Sequence, residues 1–163
     1  MAHFDGKQAF ITGGGTGIGL ACARAIVAGG GSIVNVSSIA GVLTHRWMTP
    51  YCVAKAGVNM LTRCAADELG PLGIRVNAVM PSLVDTPLVA ILIGDAGVRE
   101  EYLSRIPLNR LGKPEDVGGF VAALLGDEAG WVTGQCIGVD GGHTLRQGPD
   151  LVSFFQKFLP AEG

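Results

Sequence analysis

Gln8-Ala9-Phe10-Ile11-Thr12-Gly13-Gly14-Gly15-Thr16-Gly17-Ile18-Gly19, residues 8–19, carries a short apolar run into a glycine-rich loop. Gln8 to Thr12 reads as a strand, and Ile18 to Ala28 reads as a helix with Ile18, Cys22, Ala25 and Ile26 near one face. Gly29-Gly30-Gly31 breaks that helix, and Ser32 to Ser37 is a second β-rich run. The order is therefore strand, glycine loop, helix, strand. A pyrophosphate can approach bare backbone at such a junction and meet the positive end of the following helix. No Gly-Lys-Ser/Thr follows to grip terminal phosphates and magnesium, which disfavours an ATP-type phosphate loop. Taken alone, the glycine cluster fits a tight turn equally well.

Outward from the loop the same alternation continues. Between Tyr51 and about Leu69 the apolar residues Ala54, Val58, Leu61 and Ala65 recur at helical spacing, and Gly70-Pro71 stops them. Ile74 to Val79 is a third strand. Pro114 followed by Glu115 and Asp116 starts a helix reaching Leu125, because acidic side chains suit the helix amino end. Gln135 to Val139 is a fourth strand, ended by Gly141-Gly142. The fold class expected is α/β: a curtailed Rossmann-like, mostly parallel sheet of about four strands with flanking helices, in a single domain over residues 1–163. In the tail, Leu151, Phe154, Phe155, Phe158 and Leu159 share a helical face that suits packing against the body or a sister subunit better than a membrane surface.

Composition narrows the function classes. Apolar residues make up 48% of the chain and charged residues 16%, which suits a buried parallel sheet. The formal charge of −2 has no basic run behind it, so a nucleic-acid surface is not expected. Cys22, Cys52, Cys64 and Cys136 are widely spaced, which fits free thiols in a reducing cytoplasm and not a zinc site; no metal is expected. No apolar run approaches the ~20 residues that span a bilayer, and no export signal is expected.

Tyr51 and Lys55 stand four apart on the second helix, so their side chains leave from one face. An ammonium beside a phenol favours the charged form, which equips Tyr51 to exchange a proton near neutrality. Ser38, just past the second strand, can hold a substrate oxygen meanwhile. Singly, each residue reads more simply as a helix start, a solvated lysine and a turn serine. Ser38 as a nucleophile is the rival use, but Ser37-Ser38-Ile39 is not a G-x-S-x-G elbow, and His3, His45 and His143 have no acid at a telling spacing.

Taken together, the Thr12–Gly19 loop, Ile33-Val34-Asn35-Val36-Ser37-Ser38, Tyr51-x-x-x-Lys55, Ile74-Arg75-Val76-Asn77-Ala78-Val79-x-Pro81, Arg110-x-Gly112-x-Pro114-Glu115-Asp116-Val117 and Val139-Asp140-Gly141-Gly142 make the chain resemble the short-chain dehydrogenase/reductase family. The resemblance implies an NAD- or NADP-dependent oxidoreductase passing hydride between nicotinamide and a small hydrophobic alcohol or carbonyl substrate. It implies that Ser38 binds the substrate oxygen, that Tyr51 exchanges the proton, and that Lys55 holds the nicotinamide ribose and assists Tyr51. Gly13, Thr16, Gly17, Ile18 and Gly19 would take the pyrophosphate end of the cofactor, with Tyr51, Lys55, Val84 and Thr86 at its nicotinamide end. Ser82 departs from the pattern, which has glycine after the proline.

The resemblance also implies further strand and helix units between the loop and Ser38. Nineteen positions separate Gly19 from Ser38, whereas each βαβ unit takes about 30 residues. About three units are thus expected to be missing near residues 29–32, together with the residue that chooses between NAD and NADP and a family asparagine of the catalytic set. The second strand must then pair directly with the first. Two readings follow: a shortened oxidoreductase, cytoplasmic and homo-oligomeric, or a catalytically inactive remnant that binds nucleotide or another subunit.

Overall fold

The computed structural model describes residues 9–12, 31–146, 148 and 151–156. The loop residues Gly13, Thr16, Gly17, Ile18 and Gly19, the expected helix to Ala28, and Phe158 and Leu159 lie outside the described residues.

Four strands, β1 (Ala9–Thr12), β2 (Gly31–Val36), β3 (Ile74–Pro81) and β4 (Cys136–Val139), form one sheet in the order β1-β2-β3-β4. Every pairing is parallel, as expected, and β1 pairs with β2 directly, with Thr12 opposite Asn35. Because all four run the same way, their carboxyl ends share one edge. The segments after Val36, Pro81 and Val139 leave from that edge, which is where open α/β sheets bind ligands.

Two helices cover the central strands. Helix α1 (Thr49–Leu69) starts with Pro50 in its first turn, a position where proline removes no needed donor, and gives way through a 3-10 turn to Gly73, whose φ of 73° lies in the left-handed region. Short helices α2 (Ala90–Gly94) and α3 (Ala96–Arg105) follow β3; Asp95 caps α3 by accepting from the Val98 amide at 2.9 Å. Helix α4 (Pro114–Leu125) has the expected bounds, and its Asp116 carboxylate reaches back to the Lys113 amide at 2.7 Å. The tail contributes the short α5 (Val152–Phe155), where Phe154 and Phe155 remain about half exposed.

Adjacent residues of β2 point to opposite faces. Ile33 packs with Ala66 and Leu69 of α1, and Val34 packs with Val121, Leu124 and Leu125 of α4. The helices therefore lie on opposite sides of the sheet. Since β2, β3 and β4 advance in one direction, the α1 and α4 crossovers have opposite hands. One of them has the hand found in only about 2% of parallel crossovers.

The buried face of α1 is rotated from the one expected. Val58 is buried and Ala65 partly so, but Ala54 and Leu61 are exposed, while Asn59, Thr62, Ala66 and Leu69 are buried. Polar pairing turns the helix: Asn35 on β2 donates through Nδ2 to Thr62 Oγ1 at 2.9 Å, and Ser37 donates to the Lys55 carbonyl at 3.1 Å. A buried polar side chain left unpaired costs more than an exposed alanine or leucine. Arg75 similarly ties β3 to the end of α4, donating to the Leu124 carbonyl at 2.8 Å and the Gly126 carbonyl at 3.0 Å.

Candidate active site

The carboxyl edge of β2 and the first turns of α1 build the site. Lys55 lies two turns from the α1 start, and its Nζ donates to the Val36 carbonyl at 3.1 Å while standing 5.6 Å from the centre of the Tyr51 ring. The four-residue spacing thus brings Tyr51 and Lys55 together as the helix geometry requires. One of the three ammonium donors of Lys55 is taken by Val36, and Tyr51 is 42% exposed, so the pair is accessible from the sheet edge.

Ser38 occupies the turn after β2. Its backbone is extended, its Oγ accepts from the Ala40 amide at 3.1 Å, and it precedes a 3-10 turn from Ile39 to Gly41 that lies against α1. Ser37 fixes that turn to the helix through the Lys55 carbonyl. Ser38, Tyr51 and Lys55 therefore stand on two segments joined at Lys55.

Val84 and Thr86 follow β3 on the same edge. Val84 bridges Gly112 as a single parallel β-contact, and the adjoining Asp85 amide donates to the Gly112 carbonyl at 2.8 Å. The extended backbone of Thr86 leads into a 3-10 turn. Both are partly exposed. The glycine loop follows Thr12 from the strand beside β2, but its own geometry lies outside the described residues.

The histidines add a feature that spacing did not indicate. Among the described residues, the serine hydrogen-bonded to a histidine is Ser82 and not Ser38: its Oγ lies 2.8 Å from Nδ1 of the buried His143. Tyr102 on α3 meets the His143 ring edge-on, with centroids 5.6 Å apart. Burial, then the neighbouring Tyr51, push the Tyr102 phenol above its ordinary pKa, with Arg105 opposing. Burial pushes His143 below its ordinary pKa against the pull of Asp140. Burial alone would raise Asp140, but hydrogen bonds from Thr144 and Gly142 bring it below the usual carboxylate value. The sequence signal for this cluster was Ser82, the departure from the glycine that the resemblance implies.

Beside the site a chamber of about 1350 Å³ opens between Val42–Thr44, α3 and the tail residues Leu151, Val152 and Phe155. Cys52, Cys64 and Cys136 are free thiols, and no group of three potential metal ligands occurs among the described residues. No described helix is long and apolar enough to cross a membrane.

The family model described as enoyl-(acyl carrier protein) reductase matches residues 15–144, a span that contains Ser38, Tyr51, Lys55 and the segments around them. The chain belongs to the short-chain dehydrogenase/reductase family. Among short-chain dehydrogenase/reductases of known name, 3-oxoacyl-(acyl-carrier-protein) reductase FabG of Thermotoga maritima is 50% identical over 115 residues, covering 71% of this chain and 46% of the relative. A short-chain type dehydrogenase/reductase from Mycobacterium ulcerans superposes with a TM-score of 0.75 at 46% identity, over 83% of this chain and 50% of the other. The gluconate 5-dehydrogenase of Burkholderia cenocepacia, solved with NADP and tartrate, gives a TM-score of 0.76 at 31% identity, over 78% of this chain and 51% of the other. The chain spans about half the length of these relatives.

Proposed function

We propose that this chain carries the active-site half of an NAD(P)-dependent oxidoreductase acting on a small hydrophobic alcohol or carbonyl compound, in a single shortened domain over residues 1–163. The observation that carries the reading is the Lys55 ammonium held between the Val36 carbonyl and the Tyr51 ring at the carboxyl edge of a parallel sheet.

The residues present fit a nicotinamide dinucleotide. Lys55 keeps two N–H donors beyond the one given to Val36, Tyr51 offers a hydroxyl, and Val84 and Thr86 border the same edge. Gly13, Thr16, Gly17, Ile18 and Gly19 would take the pyrophosphate. When bound, such a cofactor supplies or accepts hydride at the substrate carbon. Tyr51 gives its hydroxyl proton to the substrate oxygen in reduction and takes it back in oxidation, while Lys55 stands beside the ring. Ser38 donates a hydrogen bond that holds the substrate oxygen while the proton moves. Relatives bound to NADP, or named for alcohol and carbonyl chemistry, support the reaction class.

Exposed Val53, Met60 and Leu61 on α1 favour a homo-oligomer, and the charge pattern and free cysteines favour a cytoplasmic protein without nucleic-acid or membrane partners. Titration of NADH and NADPH, followed by nicotinamide fluorescence, tests the reading. Saturable binding of either, with turnover dependent on Tyr51, supports it, and absence of binding rejects it in favour of a catalytically inactive remnant.

A further inference from the structure

Between β3 and the end of α3 the chain makes an excursion whose two ends meet at one side chain. The excursion opens at Ser82, carries Val84 and Thr86, passes through α2, and closes at Tyr102 on α3. His143, from the turn after β4, is 5% exposed and touches both ends: Nδ1 lies 2.8 Å from Ser82 Oγ, and the ring receives the edge of Tyr102. Tyr102 in turn lies within electrostatic reach of Tyr51. The excursion has further attachments, at Leu83 and Asp85 to Gly112, and α3 is held just past Tyr102 by Arg146 donating to the Ser104 carbonyl, but none of these joins its beginning to its end.

We propose that His143 is a positioning residue: held by Ser82 and abutting Tyr102, it clamps the 82–102 excursion so that α3 keeps its place in the wall of the chamber beside the site. The inference rests on the oxidoreductase reading for its consequence in turnover, and on geometry alone for the clamp.

Several features fit this role. With glycine at 82, the His143 ring would lose its hydroxyl partner, so the departure from the family pattern and the buried histidine belong together. Asp140, Arg105, His45 and Glu101 are the charged and titratable groups acting on the ring, and burial, the largest influence, favours the neutral imidazole. A neutral ring needs no counter-ion and accepts or donates at Nδ1 according to tautomer, so it can meet the Ser82 hydroxyl either way. α3 also contributes Glu101, Ser104 and Arg105 to the wall of the chamber, so movement at Tyr102 changes the chamber directly.

Hydrogen exchange read by mass spectrometry on the whole chain tests the clamp without requiring turnover. Ser82→Gly and His143→Ala should each speed amide exchange across residues 83–101 by about tenfold, leaving β2 and β3 as protected as before. His143→Asn, whose side-chain amide reaches the Nδ1 position but presents no ring to Tyr102, should recover only part of the protection lost in His143→Ala. In the active protein, Ser82→Gly should raise KM about tenfold while kcat changes less than about threefold, as expected when a wall and not the reacting atoms is disturbed. Unchanged exchange over 83–101 in both variants would overturn the proposal, as would an increase spread equally over the sheet. Failure of the unaltered chain to bind nicotinamide, with the exchange pattern as expected, rejects the oxidoreductase reading and supports the clamp.

Discussion

Replacing Gly41 by alanine drives the Ser38 turn away from α1. A Cβ at position 41 would come 2.9 Å from the Lys55 carbonyl oxygen, 3.0 Å from its carbonyl carbon and 2.5 Å from Asn59 Nδ2. The Asn59 amide, although buried and donating to Met80 Sδ at 3.5 Å, ends a side chain that can turn. The Lys55 carbonyl cannot, because it belongs to the helix backbone and accepts from Ser37. Ordinary contact begins near 3.4 Å, so turn and helix must part by about 0.5 Å. Overpacking of this kind costs about 1–3 kcal/mol. With a urea slope of about 2 kcal/mol per molar for a chain of this size, the unfolding midpoint should fall by about 1 M. The displacement opens between Ser38 and the Tyr51/Lys55 pair, so turnover should fall at least about tenfold, since small misplacements of positioned groups are costly. Nicotinamide affinity should change less than about twofold, because Tyr51, Lys55 and Val36 remain on one side of the gap. Urea denaturation followed by circular dichroism, together with steady-state kinetics, measures both effects. A variant with an unchanged midpoint and unchanged kcat would show that the turn does not need direct contact with α1.

Three further outcomes follow from contacts already described. Tyr51→Phe should lower turnover by about 10²–10⁴-fold while nicotinamide affinity stays within about threefold, and retained turnover would remove Tyr51 from the reaction. Arg75→Met should cost about 2–3 kcal/mol in urea unfolding, because it strips charged donors from the carbonyls of Leu124 and Gly126; an unaltered midpoint would mean those carbonyls find other donors. Because the folded His143 pKa lies below its unfolded value of about 6.5, the unfolded chain binds the proton first. Its contribution to stability is therefore constant above that range and declines as pH drops from about 6.5 toward the folded value. His143→Asn should flatten this part of the stability profile, and parallel profiles for the two proteins would refute the assignment.

The strands were legible because β-branched residues gather in short runs that follow glycine, as in Ser32 to Val36 and Ile74 to Val79. Helix α4 was legible to the residue because Pro114 and the acids behind it mark an amino end that the structure keeps. The closeness of Tyr51 and Lys55 was legible from helical spacing, and their expected role only from the resemblance. The rotation of α1 was not, because apolar periodicity cannot register that Asn35 on a distant strand draws Thr62 inward. The meeting of Ser82, Tyr102 and His143 was equally hidden, since it joins three separate elements and no periodicity links them. The opposite hands of the two crossovers also lie beyond sequence patterns, which mark where helices occur and not which face they cover.

Those opposite faces partition the molecule mechanically. α1 carries Tyr51 and Lys55 on one side of a sheet one strand thick, and α4 lies on the other, so a disturbance in the carboxyl half of α4 has to cross the sheet to reach the tyrosine, whereas its amino end borders Val84 through Gly112. On the outer surface of α4, Gly118 shares a cavity with Val36 and Val84, whereas the exposed Gly119 and Ala123 do not, and that side is the better insulated attachment point. A fluorophore or tether fixed there can report on the chain while leaving the reaction side undisturbed.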